Sequence, residues 1–182
     1  MEKEYYETIK EKLAELFTAK FTSFHLEVTA YKKFSNKLKA KVGQQREIIF
    51  YFLKEAAPDI TGFIEKQYST DFVVVEVKRE VIKLDDIYQT RKYAELFDAK
   101  YAPLISTKEI PEEIKRLSRT VYSLLSIPAY KKVAIVQYDG IRGLDLYGTD
   151  GHVFTSDKSD FVKTIKILQL TNWIRLKLLE IT

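Results

Sequence analysis

PDITGFIEKQYSTDFVVVEVKRE, residues 58–80, decides how this chain folds. Two runs with strand character, 59–64 and 72–79, flank the seven residues EKQYSTD. A hairpin that pairs Ile64 with Phe72 sets Ile60 opposite Glu76 and Asp59 opposite Val77. The two acids are then neighbours across the ladder, to within one residue of register. Along the second strand, period two sends Phe72, Val74, Glu76, Lys78 and Glu80 to one side and Val73, Val75, Val77 and Arg79 to the other. Glu76 and Lys78 therefore point the same way, inside a run of valines that reads as buried.

Charge in such a place needs a reason, because an unpaired buried carboxylate or ammonium costs several kcal/mol. One reason is a structural ion pair. The other is a site. Two carboxylates converging at the end of a sheet repel each other unless a cation lies between them. A lysine beside them can hold a water or stabilise negative charge on a phosphate under attack. Such a group is equipped to hydrolyse phosphodiesters.

Outward from this hairpin the chain reads as helices and strands mixed. Tyr6, Ile9, Leu13, Leu16 and Phe17 recur at helical spacing and predict a helix over 3–19. Alternation predicts strands at 24–30 and again at 37–42, where KLKAKV places Lys out and Leu38, Ala40 and Val42 in, until Gly43 breaks the pattern. QQREIIFYFLKEAA, 44–57, reads as a helix with Ile48, Ile49, Phe52 and Leu53 inward, stopped before Pro58. Beyond the hairpin come a helix from about Asp85 to Phe97, a strand at 101–107, a helix from Pro111 that Pro128 ends, and a buried strand at 131–139. Asp139-Gly140 and Asp150-Gly151 mark turns of a hairpin-like segment, and 158–180 reads as an apolar final helix able to pack on the core or on a second subunit. With no repeat and no low-complexity linker, 1–182 reads as one α/β domain with helices flanking a sheet.

Composition narrows the chemistry. There is no cysteine and there are two histidines, His25 and His152, so thiolate sites are excluded and a His-rich zinc site is disfavoured. A bound metal would be a hard cation held by oxygen, Mg²⁺ or alternatively Mn²⁺. Six glycines, none at phosphate-loop spacing, argue against a nucleotide-binding fold. The charged start of the chain is unlike a signal peptide or a membrane span, which predicts an intracellular, cytoplasmic protein with no membrane partner. Abundant Lys, Glu, Ile and Tyr with two Asn lean towards a thermophile.

Of the net charge of +4, the stretch 28–46 alone carries +6, from Lys32, Lys33, Lys37, Lys39, Lys41 and Arg46 without a single acid. Cations interleaved with Tyr31 and Phe34 suit a nucleic-acid backbone, or equally the solvated face of a lysine-protected edge strand. Asp85-Asp86 reads as a helix cap, and both histidines read as structural.

Pro58-Asp59 followed by Glu76-Val77-Lys78 resembles the signature of the PD-(D/E)XK, restriction-endonuclease-like nuclease superfamily. That resemblance implies a core of helix, three-strand meander, helix and strand, covering about 44–138, with 1–43 an N-terminal helix and basic strand segment and 139–182 a hairpin and C-terminal helix. It implies Asp59 and Glu76 as Mg²⁺ ligands, Lys78 as the group that assists the attacking water, and an endonuclease acting on DNA. Members often add an upstream Glu, for which Glu47 is the best candidate, with Glu55 or an acid of the first helix behind it. They often carry a Gln on the next helix, which Gln89 supplies, with Lys92 and Tyr93 on the same face. Arg79 and the basic segment would track the backbone. Between Glu47 and Asp59 there is no room for the meander's first strand, so 24–31, 37–42 or part of 44–57 must provide it. Two other readings stand beside this one: a catalytically inactive nucleic-acid-binding or assembly subunit of the same fold, and a protein-interaction module that dimerises through the last helix and keeps a structural ion pair at the motif.

Overall fold

The computed structural model describes residues 2–121, 123–129, 131–140 and 143–146. A helix α1 (Glu2–Thr18) leads into strand β1 (Phe24–Val28), a helix α2 (Asn36–Val42), a 3-10 turn (Gln44–Arg46) and a single helical turn α3 (Ile49–Phe52). Strands β2 (Ile60–Glu65) and β3 (Thr70–Lys78) follow, then helix α4 (Leu84–Phe97), strand β4 (Ala102–Ser106) and helix α5 (Glu112–Thr120). Strands β5 (Ser126–Ile127), β6 (Lys131–Asp139) and β7 (Gly143–Leu146) end the described chain. The final helix expected at 158–180, the Asp150-Gly151 turn and His152 lie outside the described residues.

One mixed sheet runs in the order β1-β2-β3-β4-β6-β5, with β7 also paired to β6. β1, β2 and β3 form an antiparallel meander, whereas β3, β4 and β6 are parallel. Parallel neighbours need a crossover, and α4 and α5 supply the two. The strands in the middle of the sheet are buried on both faces, which is why β3 reads as a valine run and every residue of β4 is buried.

Helices cover both faces. Ile9, Leu13 and Phe17 form a fully buried stripe on α1, and Phe17 stacks edge-on against Phe24 at 5.6 Å and reaches Tyr101, the bridge partner of Val73. The valines at 73, 75 and 77 therefore face α1. On the other face Phe97 of α4 meets Phe72 at 6.3 Å and Phe50 of α3 at the same distance. Glu76 and Lys78, sharing the parity of Phe72, look out beneath α4.

β1 and β2 approach closely at Gly62. A Cβ there would run into the backbone carbonyl oxygen of His25 and stand 2.7 Å from Leu26 Cδ2. Backbone cannot move aside as a side chain can, so Gly62→Ala is expected to pry β1 from β2 at a cost of about 3 kcal/mol. Calorimetry should record a melting temperature lower by roughly 6–12 °C; an unchanged value would overturn this strand pairing.

Four expectations are corrected. Residues 37–42 are helix α2, not strand: Ser35 caps it by accepting from the Leu38 N–H at 3.1 Å, and Leu38 and Val42, four apart, are the buried pair. Lys-Leu-Lys-Ala-Lys-Val satisfies period two and the i, i+4 spacing alike, and Ala40 is exposed. The segment 44–57 is not one helix. Its hydrogen bonds from Glu47, Phe50 and Tyr51 reach back three residues, and of the expected inner face only Ile49 and Leu53 are buried, while Ile48 and Phe52 are each 63% exposed. The hairpin register is shifted by one: Ile60 pairs with Val75 and Ile64 with Asp71. The strand paired ahead of β2 is β1, within the expected 24–31. The helix from Pro111 also ends earlier than expected, at Thr120.

Candidate functional site

The corrected register brings Asp59 directly beside Glu76. Asp59 donates its N–H to the Val75 carbonyl at 3.1 Å, and its Oδ2 accepts the Val77 N–H at 2.7 Å, so the carboxylate is built into the mouth of the β2–β3 ladder. The end of β1 holds this corner in place. Thr29, fully buried, donates its hydroxyl to the Pro58 carbonyl at 2.6 Å and lies 2.8 Å from the Thr61 hydroxyl. The N–H groups of Thr29 and Ala30 both donate to the Asp59 carbonyl.

Glu76 is 2% exposed. Its Oε2 lies 3.3 Å from Lys78 Nζ, while its Oε1 is buried without a hydrogen-bond partner among the described residues. Burial first, and the neighbouring Asp59 charge second, push the Glu76 carboxyl up to about 8, against the opposing pull of Lys78. A structural ion pair would be expected to satisfy both oxygens. Among the described residues Oε1 is left without a partner, and the Asp59 charge is close enough to act on the same carboxylate.

Lys78 is met on three sides: by Glu76 Oε2, by Asp86 Oδ1 at 3.2 Å and by Gln89 Oε1 at 3.2 Å. Burial pulls its pKa down, but the Glu76 and Asp86 charges and hydrogen bonds outweigh that and hold it above the ordinary lysine value. It stays an ammonium, a donor and a positive charge rather than a base. Gln89 is steadied in turn by Tyr93, its Nε2 donating to the phenol oxygen at 3.4 Å, and burial raises the Tyr93 pKa. Tyr93 lies on the buried stripe of α4 with Ile87, Thr90, Ala94 and Phe97.

Thus Asp59, Glu76, Lys78 and Gln89 lie close together. Two contributors were missed. Thr29 carried no signal, since its partner is 29 residues away in sequence. Asp86, read as a cap, does cap α4 through Oδ2, which accepts the Lys83 N–H at 2.8 Å, and also engages Lys78; its position three residues before Gln89 on one helix face was the available signal.

Glu47 is exposed at the end of the 3-10 turn, and among the described residues no cluster of three or more acids or histidines able to hold a metal is formed. Mg²⁺ does not require one, because it keeps several waters and takes one or two carboxylates. Asp59 and Glu76 thus fit such a cation.

The basic segment is dispersed. Lys32 and Lys33 are exposed in the turn after β1, and Lys37 and Lys41 lie 5.7 and 5.5 Å over the Phe63 ring. Lys41 pairs with Glu65 at 2.5 Å, at the end of β2 remote from Asp59 by about 20 Å. Lys39 lies 5.9 Å over Phe50, and Arg46 donates to the Leu96 carbonyl at 2.6 Å. Arg79, exposed just past Lys78, lies 5.8 Å over the ring of Tyr5, which itself meets Tyr138. His25 hydrogen-bonds Glu27 at 2.6 Å, and the other oxygen of Glu27 accepts the Ser35 N–H at 2.8 Å. Among the described residues no helix is long and apolar enough to cross a membrane.

Compared with protein-family models, with curated proteins and with solved structures, the chain finds no match in any of the three.

Proposed function

We propose that the protein is a Mg²⁺-dependent nuclease that hydrolyses DNA phosphodiester bonds, with Mn²⁺ as a substitute cation. The observation that carries this reading is Glu76: a carboxylate 2% exposed, one oxygen held by Lys78, the other without a partner among the described residues, and the whole group within reach of the Asp59 charge. The element order α1-β1-α2-α3-β2-β3-α4-β4, in which β1, β2 and β3 pair as a meander, with an acid at the mouth of β2 and acid-Val-Lys at the end of β3, supports the resemblance to the PD-(D/E)XK superfamily.

Asp59 and Glu76 would hold the cation, which supplies a Lewis acid and a water of lowered pKa next to the phosphate. Lys78, kept cationic, would orient the attacking water and offset the charge that grows on the phosphate oxygens as the new P–O bond forms and the old one breaks. Gln89 keeps Lys78 from swinging. Lys32 and Lys33 are exposed cations available to a phosphate backbone; Arg79, Lys37 and Lys39 are exposed as well but lie over aromatic rings, and Lys41 and Arg46 are held by Glu65 and the Leu96 carbonyl.

Labelled duplex, single-stranded, flap and junction DNAs, each incubated with Mg²⁺, Mn²⁺ or chelator, test the reading. Cleavage is expected only with metal. Lys78→Ala should lower it at least about a hundredfold. Metal-dependent cutting that survives in both Lys78→Ala and Asp59→Asn would overturn the assignment. DNA binding without cutting and without a Mg²⁺ site would favour the inactive binding subunit.

A further inference from the structure

Lys78 has three ammonium hydrogens and three acceptors, and the acceptors are not equivalent. Glu76 belongs to the pair of carboxylates, and any cation seated there competes with Lys78 for it. Asp86 and Gln89 stand apart from that pair, three residues apart on one face of α4, each 3.2 Å from Nζ. Only Asp86 of these two is charged, and its side chain is 17% exposed, so solvent weakens the contact little. It is also the more rigid, because its second oxygen is fixed by the Lys83 N–H at the start of the helix. An ammonium anchored at two corners has one direction left for its third hydrogen, towards Glu76 Oε2 at 3.3 Å.

The geometry points to Asp86 as a positioning residue that ties Lys78 to α4 and aims its remaining hydrogen at Glu76. The inference rests on the nuclease reading of the carboxylate pair for its purpose, but the tether itself is a property of the side chains. The helix cap and the tether use different oxygens of one carboxylate. Asp86→Asn can keep the cap by turning its oxygen to the Lys83 N–H, and then presents an amide N–H₂ to Lys78, a donor facing a donor. Asp85→Asn removes an equal charge from the same turn, where Asp85 is exposed. It controls for the helix dipole alone.

The experiment compares full-length wild type, Asp86→Asn and Asp85→Asn by ¹⁵N-detected lysine ammonium NMR, with Lys78→Met to assign the signal, by melting temperature, and by kcat and KM on whichever DNA the wild type cuts. In Asp86→Asn the ordered Lys78 ammonium signal is expected to broaden or vanish with little change in melting temperature. Its kcat should fall about 10- to 100-fold with KM nearly unchanged, and Asp85→Asn should match wild type in all three. A Lys78 signal unaltered in Asp86→Asn, or equal losses in both variants, would overturn the tether. If the wild type cuts none of the DNAs, the nuclease reading fails and the ammonium comparison decides the tether by itself.

Discussion

Glu76→Gln is expected to melt higher than the wild type at pH 9 and to have lost DNA cleavage. The sign follows from linkage. In the folded chain the Glu76 carboxyl keeps its proton up to about 8, whereas in the unfolded chain it releases it near 4.5. The folded state therefore binds the extra proton between those values, and stability falls as pH rises through that window. The stabilising proton is fully in place below 4.5 and gone above 8, where a charged carboxylate is left buried beside Asp59. Gln carries no such charge. The difference between the two proteins should be near zero at pH 4, grow through neutrality and level off above pH 8. There it should reach on the order of a few kcal/mol, or roughly 5–10 °C. Mg²⁺ should raise the melting temperature of the wild type at pH 9 and leave that of Glu76→Gln unmoved. If Glu76→Gln instead melts lower at pH 9, Glu76 is the structural partner of Lys78 and the cation-site reading falls.

Asp59→Asn should lose cleavage at least about a hundredfold while remaining folded. The reason for choosing Asn lies in the ladder: Asp59 Oδ2 accepts the Val77 N–H at 2.7 Å, a bond that an amide oxygen can make equally well. Asp59→Ala leaves that buried N–H unpaired at a cost of about 1–3 kcal/mol, so loss of activity in it would mix chemistry with unfolding. The same substitution has a second readout. The Asp59 charge is the second-largest cause of the raised Glu76 pKa, so in Asp59→Asn the pH window over which stability declines should move down towards the ordinary carboxylate range. Wild-type kcat in folded Asp59→Asn would refute a role for this carboxylate in catalysis.

Much of the site could be read from the chain. Glu76 and Lys78 share a face because alternation along a strand is a covalent fact, independent of what the strand pairs with. Gln89 and Tyr93 share a face of α4 by the same kind of local geometry. The Lys-Leu-Lys-Ala-Lys-Val stretch failed because its spacing fits a one-turn apolar pair as well as a strand, and what decided it was the Ser35 cap and the docking of Leu38 and Val42 on the sheet. The run at 48–53 failed because its apolar residues are not all inside; an apolar residue can be left exposed, and only the neighbouring elements determine which are.

Residue identities and their periods determined by themselves the hairpin, the shared face of Glu76 and Lys78, the amphipathic α1 and α4, and the exclusion of thiolate chemistry. Tertiary structure alone decided the register that puts Asp59 beside Glu76 rather than one residue away, the choice of β1 as the strand whose Thr29 clamps that corner, and the second role of Asp86 as a partner of Lys78. It also decided that one oxygen of the buried Glu76 goes unanswered among the described residues. The division has a physical cause: periodicity is set by bonds within a few residues, whereas register, burial and charge partnership are set by groups that meet only after the chain has closed loops of many residues.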